Sequence, residues 1–141
     1  MEIFNSPTEF GARLLLLLCE FSEGLGMDQL VFFDYTMIYS ADFEDKSSIH
    51  PSLPHRLAEL VRRREDIHDA LTLYLSKGLV TSSIGEAGIR YLTTTQGRAF
   101  ADNLSSSYHD KIKRQAAWAF RNIDRLSAEM GRIFKIEQAA V

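Results

Sequence analysis

The chain is poor in the features on which secreted, metal-bound or membrane-bound domains depend. It holds one cysteine, Cys19, so no internal disulfide can form, and a lone thiol fits a reducing compartment. Cys19 lies in an apolar helical run and reads as a packed thiol rather than a reactive one. Paired-cysteine and HExxH metal patterns are missing, as are a GxxxxGK phosphate loop and a Gly-x-Ser-x-Gly elbow. His50 and His55 match no ligand spacing, and no cysteine pair accompanies them. His68 beside Asp69 is the nearest approach to an acid–base pair, but neighbouring helix positions are expected to point apart. These absences predict a protein with no metal, no cofactor and no catalysis of its own. The leucine run Leu14–Leu18 is far too short to span a bilayer. Acidic Glu2 and Glu9 stand where a signal peptide needs bases, so a cytoplasmic protein is expected.

What is present is ordinary globular material. Hydrophobic residues make up 45% and charged residues 25% of 141, enough for one domain with a proper core. The net charge of −3 hides an asymmetry. Residues 1–60 carry ten acids against Arg13, Lys46 and Arg56, a net of −7. Residues 108–135 carry seven bases against Asp110, Asp124 and Glu129, a net of +4. Such a split suggests a charged face for a partner more than a uniformly basic nucleic-acid binder.

The central stretch is 65–98. Leu71, Leu75 and Leu79, with Ala70 and Tyr74 beside them, predict an amphipathic helix over Asp66–Lys77, capped by Gly78. Leu79–Thr81 and Ile89–Thr93 are β-prone runs, joined by a hairpin tip at Gly85 and Gly88. Before this stretch, RLAELVRRR at Arg56–Arg64 reads as a separate short helix, with Leu57, Leu60 and Val61 inward. A polar loop over 40–55 holds two of the three prolines. The expected fold is mainly α with a small hairpin: a winged helix-turn-helix domain over 1–107, its hairpin at about 79–93.

Toward the N-terminus, Ser6 or Thr8 can cap a first helix that Pro7 helps to start. Phe10, Leu14, Leu17, Leu18 and Phe21 lie at helical spacing, and Leu15 and Leu16 widen the apolar arc enough for a central helix. Asp28 is the expected cap of a second helix. Its side chains Leu30 to Tyr39 suit either a sandwiched core helix or, along one aromatic edge, an interface. Beyond the hairpin, Thr95 can cap a helix reaching Leu104. A last amphipathic helix is expected over 108–135, packed on the domain or on a partner, with a tail at 136–141. Its seam of Ile112, Ala116, Ala119, Ile123, Leu126, Met130 and Ile133 has heptad spacing. Beside the seam runs a basic stripe of Lys111, Arg114, Trp118, Arg121, Arg125 and Arg132. Trp118 among arginines suits an acidic partner, or else covers the edge of the core.

Major-groove reading is not expected. The exposed start of the would-be recognition helix is Glu65, Asp66, His68 and Asp69, where a DNA reader needs bases or amides. The wing tip SSIGEAG has one acid and no base.

Six segments in order, IFNSPTEFGARLLLLL, MDQLVFFDYTMIYSADF, SIHPSLPHRLAELVRRR, LYLSKGLV, GIRYLTTT and SSSYHDKIKRQAAWAF, resemble the middle component of bacterial ABC-three-component conflict systems. That group overlaps the Lamassu-type defence systems. The resemblance runs from about Ile3 to Phe120 and implies a small winged-helix protein that accompanies an SMC-like ABC ATPase and an effector, often a nuclease, acting against phage or plasmid DNA. The family-like positions are Asn5, Pro7, Arg13, Asp34, Tyr35, Asp42, His50, Pro51, Pro54, Arg56, Glu59, Arg62, Arg63, Gly78, Leu79, Tyr91, Tyr108 and Trp118. Among them Arg56, Glu59, Arg62 and Arg63 are exposed-type residues on one short helix and are the expected partner contacts, together with the basic stripe. The function expected is a non-catalytic accessory subunit bridging ATPase and effector, with DNA met only indirectly or weakly and no membrane involved. The alternatives are a winged-helix transcriptional regulator and a homo-oligomeric scaffold built on the heptad seam.

Overall fold

The computed structural model describes residues 6–38 and 53–139, and side chains over 6–38 and 58–132. Six helices and one hairpin lie among them: α1 (Pro7–Leu18), α2 (Met27–Ile38), α3 (Leu53–Ser76), β1 (Val80–Gly85), β2 (Gly88–Thr93), α4 (Thr95–Asp102), α5 (Ser107–Arg121) and α6 (Ile123–Ala139). No helix among the described residues is long and apolar enough to cross a membrane.

Helix α1 is the hub. Ser6 caps it, its hydroxyl accepting from the Glu9 N–H at 3.2 Å, and Pro7 occupies the first turn. Every residue from Phe10 to Leu18 is buried, since α2, α3, α4, α5 and β2 all pack around it. Helix α2 is equally enclosed, with Leu30 to Met37 buried, so its aromatic run is core. Asp28 falls one residue inside α2. The turn before it is held instead by Gln29, whose Oε1 accepts from the Gly26 N–H at 2.9 Å. Cys19 is half-buried at the end of α1, and burial raises its thiol pKa, as expected of a packed thiol.

The largest departure from the sequence reading is α3. The helices expected at Arg56–Arg64 and Asp66–Lys77 form one continuous helix of 24 residues, about 36 Å long. No turn interrupts 64–66, so the expected helix-turn-helix is not made there, and Glu65 and Asp66 sit in mid-helix. The buried stripe is Leu60, Arg63, Ile67, Ala70, Leu71 and Tyr74. Its one charged member, Arg63, breaks the apolar period and makes a single helix read as two. Leu75 is 36% exposed rather than inward. The helix opens at Leu53, so the expected 40–55 loop ends earlier. Residues 40–52 of that loop, His50 among them, lie outside the described residues, as do the side chains of His55 and Arg56.

The end of α3 is as the sequence predicts. The Gly78 N–H bonds the Leu75 carbonyl and the Leu79 N–H bonds that of Tyr74, both at 3.1 Å, around a Gly78 with φ +73°. This is a Schellman stop, and glycine adopts it with least strain. The hairpin follows in register, Val80 opposite Thr93 through Gly85 opposite Gly88. Thr94, one residue before the expected cap, caps α4: its hydroxyl accepts from the Gly97 N–H (2.9 Å) and donates to the Gly78 carbonyl (2.7 Å). On the far side of β2, Leu25 and Tyr91 exchange two main-chain hydrogen bonds.

The last helix is broken at Asn122 into α5 and α6. The Asn122 side-chain amide donates to the Trp118 carbonyl at 2.9 Å, a local bond that competes with the helical ladder. The heptad seam survives the break and finds its partner inside the chain. Ile112, Ala116, Ala119 and Leu126 are buried, and Ile123 and Met130 pack against the core. Helix α5 lies on α1 and α2, and α6 on α2 and α3. Ile133 lies outside the described side chains.

Two predictions follow from this packing. A Cβ on Gly97 would lie 2.0 Å from the Leu79 carbonyl oxygen, which is main chain and cannot move aside. Gly97→Ala should therefore lower the unfolding free energy by about 1–3 kcal/mol in urea denaturation. Tyr74 donates its hydroxyl to the Thr8 carbonyl at 2.8 Å. Burial, then the charge of Glu9, pushes its pKa up to about 12. The unfolded phenol titrates near pH ~10, so the folded state holds its proton longer and stability falls as pH rises between the two values. Absorbance titration should show a late tyrosinate step that Tyr74→Phe removes.

Candidate functional site

Two apolar helices each carry one buried charge. Arg13 stands alone among the buried residues of α1 and is 4% exposed, and Asp34 stands alone in α2 at 0%. They meet in a fork: Arg13 Nε lies 2.6 Å from Asp34 Oδ1, and Arg13 Nη2 lies 3.0 Å from Oδ2. From α3, Arg63 Nη1 donates to the same Oδ2 at 2.7 Å. Arg63 Nη2 then bonds Glu59 Oε2 (2.9 Å), and Glu59 Oε1 accepts from Arg62 (2.7 Å). The Arg13 guanidinium also lies 4.2 Å above the Phe10 ring and reaches the Tyr108 hydroxyl at 3.4 Å. Burial by itself lowers the Arg13 pKa, but the charge and hydrogen bonds of Asp34 together with Tyr108 outweigh it and raise the value. Arg13 is a permanent cation here.

The network opens onto a cleft of about 350 Å³ between α1, the end of α2 and α3. Phe10 and Ile38 give it apolar walls, and Arg13, Arg62, Arg63, Glu59 and Asp66 make up the rest of its lining. Planar guanidinium edges held by a buried carboxylate are preorganised for hydrogen bonding. The two acids among them keep the cleft from being a simple anion trap.

The expected contact set on α3 is therefore divided by depth. Arg62 is exposed, and Glu59 is partly so. Arg63 is 8% exposed and structural, because its position falls on the inward stripe between Leu60 and Ile67. Arg64, on the outside, pairs with Asp28. His68 and Asp69 do not point apart as expected. The ring Nδ1 lies 3.7 Å from the carboxylate, with both side chains about seven-tenths in solvent.

The basic stripe is a second feature. Lys111, Arg114, Arg121, Arg125 and Arg132 are exposed, and Arg132 pairs with Glu129. Trp118 is 9% exposed, inside the core edge, and Arg125 lies 5.8 Å from its ring centroid. The tryptophan is a packing residue with one face toward an arginine, and truncating it would open the core. What the stripe leaves exposed is Lys111 and the arginines. Among the described residues, no group of three His, Cys, Asp or Glu side chains could hold a metal ion.

Sequence reasoning missed the Arg13–Asp34–Arg63 node. The signal was one charge, of opposite sign, set inside the apolar run of each of two helices, since buried charges almost always pair.

Removing the carboxylate charge leaves two buried guanidiniums facing a neutral amide. Asp34→Asn should cost about 3–5 kcal/mol of stability, measured by chemical denaturation, with the helices loosening together in one transition.

The fold and this node can be set beside known families. No curated protein and no solved structure matches the chain. One family model does, over residues 3–136, nearly its whole length. The chain belongs to the family described as ABC-three component (ABC-3C) system Middle Component 2.

Proposed function

We propose that the protein is a non-catalytic connector in a defence complex, joining an SMC-like ABC ATPase to an effector of the nuclease type. Membership of a three-component family supports partnering with the system's other components. The observation that carries the connecting role is the division of labour on α5 and α6. Their apolar seam is spent on the chain's own core, while Lys111, Arg114, Arg121 and Arg125 remain exposed. A helix face already anchored and lined with guanidiniums suits an acidic protein surface. The exposed Arg62 and half-buried Glu59 beside the α1–α3 cleft offer a second contact region on α3.

The continuous α3 running into the hairpin is read as the helix and wing of a winged-helix arrangement. Its exposed residues ahead of the wing, Glu65, Asp66, His68 and Asp69, favour a protein partner over a phosphate backbone. DNA contact then belongs to the ATPase and the effector, and this chain positions the two.

Co-expression with the other two components, followed by capture on this chain, tests the reading. Replacing Arg114, Arg121 and Arg125 together by Glu should change stability by no more than about 1 kcal/mol, because all three are exposed. Partner binding should weaken at least about tenfold, and added salt should no longer weaken it further. Unchanged capture by calorimetry removes the stripe from the interface. A sequence-specific DNA footprint by the isolated chain would replace the connector with a regulator.

A further inference from the structure

The two strands of the hairpin are treated differently by the rest of the molecule. Strand β2 is bonded on both sides. It pairs with β1 along its length, and on its outer side the Leu25 N–H donates to the Tyr91 carbonyl (3.0 Å) while the Tyr91 N–H donates to the Leu25 carbonyl (2.8 Å). That second pair fixes the parity of the ladder. Tyr91 turns both main-chain groups away from β1, so Ser82 opposite it turns both away from β2, and Ile84 does the same two residues on. The N–H and C=O of Ser82 and Ile84 lie along the outer edge of β1 and make no hydrogen bond among the described residues.

The side chains follow the same alternation. Ile84 and Ile89 are direct cross-strand partners on the face that Val80 carries into the core. At the tip that face has left the body of the domain, and Ile84 is 82% and Ile89 50% exposed. Free edges are usually blunted by lysine, proline or a bulge. The β1 sequence VTSSIG has no charge and no proline, and its register runs without a bulge.

We propose that β1 is a strand acceptor. An extended segment from another component of the system adds to its outer edge as a third strand, bonding the main chain of Ser82 and Ile84 and laying an apolar side chain on the Ile84–Ile89 pair. This rests on the reading of the chain as a subunit of such a complex. Area decides the occupant. Six residues of strand span about 20 Å, and an edge of that length buries far less than the roughly 1,200 Å² a stable pairing of two free chains needs. A second copy is thereby disfavoured. A segment tethered to a partner already docked elsewhere needs no such area, because linkage raises its local concentration. Main-chain bonds then supply affinity and alternate apolar side chains the selectivity.

The test is amide exchange, resolved to single residues, on the full chain alone and in the co-purified complex. In the isolated chain the Ser82 and Ile84 amides should exchange freely. In the complex they should slow at least about tenfold, as newly bonded strand amides do. Ser82→Pro removes only an outward N–H and leaves the hairpin ladder intact. It should weaken partner binding about tenfold, the loss of one main-chain bond, while the Thr81 and Ser83 amides stay protected. Ile84→Lys, at an exposed position, should weaken binding as well. A complex that forms with both amides still exchanging freely, or that binds Ser82→Pro as tightly as the parent, overturns the strand-acceptor proposal and leaves the subunit reading standing. Failure to form any complex overturns both. Protection that rises with the concentration of the isolated chain assigns the edge to a second copy and overturns the proposal.

Discussion

One carboxylate holds three helices in register. Asp34 on α2 receives a fork of hydrogen bonds from Arg13 on α1 and a third from Arg63 on α3. Apolar burial alone would not choose one packing of α1 and α2, because both helices are hydrophobic over most of their circumference and could slide or turn at little cost. Moving either by one residue would separate the carboxylate from its guanidiniums and leave buried charges unpaired, which costs several times the energy of an ordinary contact. The node is a weak source of net stability and a strong source of uniqueness. The position of α3 and everything mounted on its end follow from it.

The surface is what the interior leaves over. The seam of α5 and α6 is consumed by packing on α1, α2 and α3, and Trp118 goes with it, so the arginines beside them stand out from a face that cannot shift. Arg62 and Glu59 are likewise held at the lip of the cleft by the ion pairs beneath them. The molecule thus offers charged groups on two faces whose backbones are fixed from inside. Fixed charged faces of this kind suit the connecting role proposed above.

The sequence carried much of this architecture in readable form. Leucines at 14–18 marked the central helix, Gly78 the end of α3, and the β-prone runs the hairpin, because each rests on local rules of period and backbone conformation. The family resemblance carried by six short segments agrees with the match over residues 3–136. What failed were places where a side-chain polar bond overrides a local pattern. Arg63 interrupts an apolar stripe because its partner lies 29 residues away on another helix, so one helix read as two. Asn122 splits the helix that carries the heptad seam by bonding its side chain back to the Trp118 carbonyl. The candidate contact residues divided on the same ground. Position on a helix was legible, but depth depended on a charge partner that spacing does not reveal.

The mounting of the hairpin has a mechanical consequence. Its base is gripped from three directions: by the Schellman turn of α3, by Thr94 and the close approach of Gly97 on α4, and by Leu25 across β2. A beam clamped on three sides transmits torque instead of swinging. The tip, about 17 Å of strand away, can be carried only as the core itself is carried. Any load taken at Ile84 and Ile89 is delivered to the α1–α2 connection and to the end of α3, the two ends of the helices that Asp34 ties together.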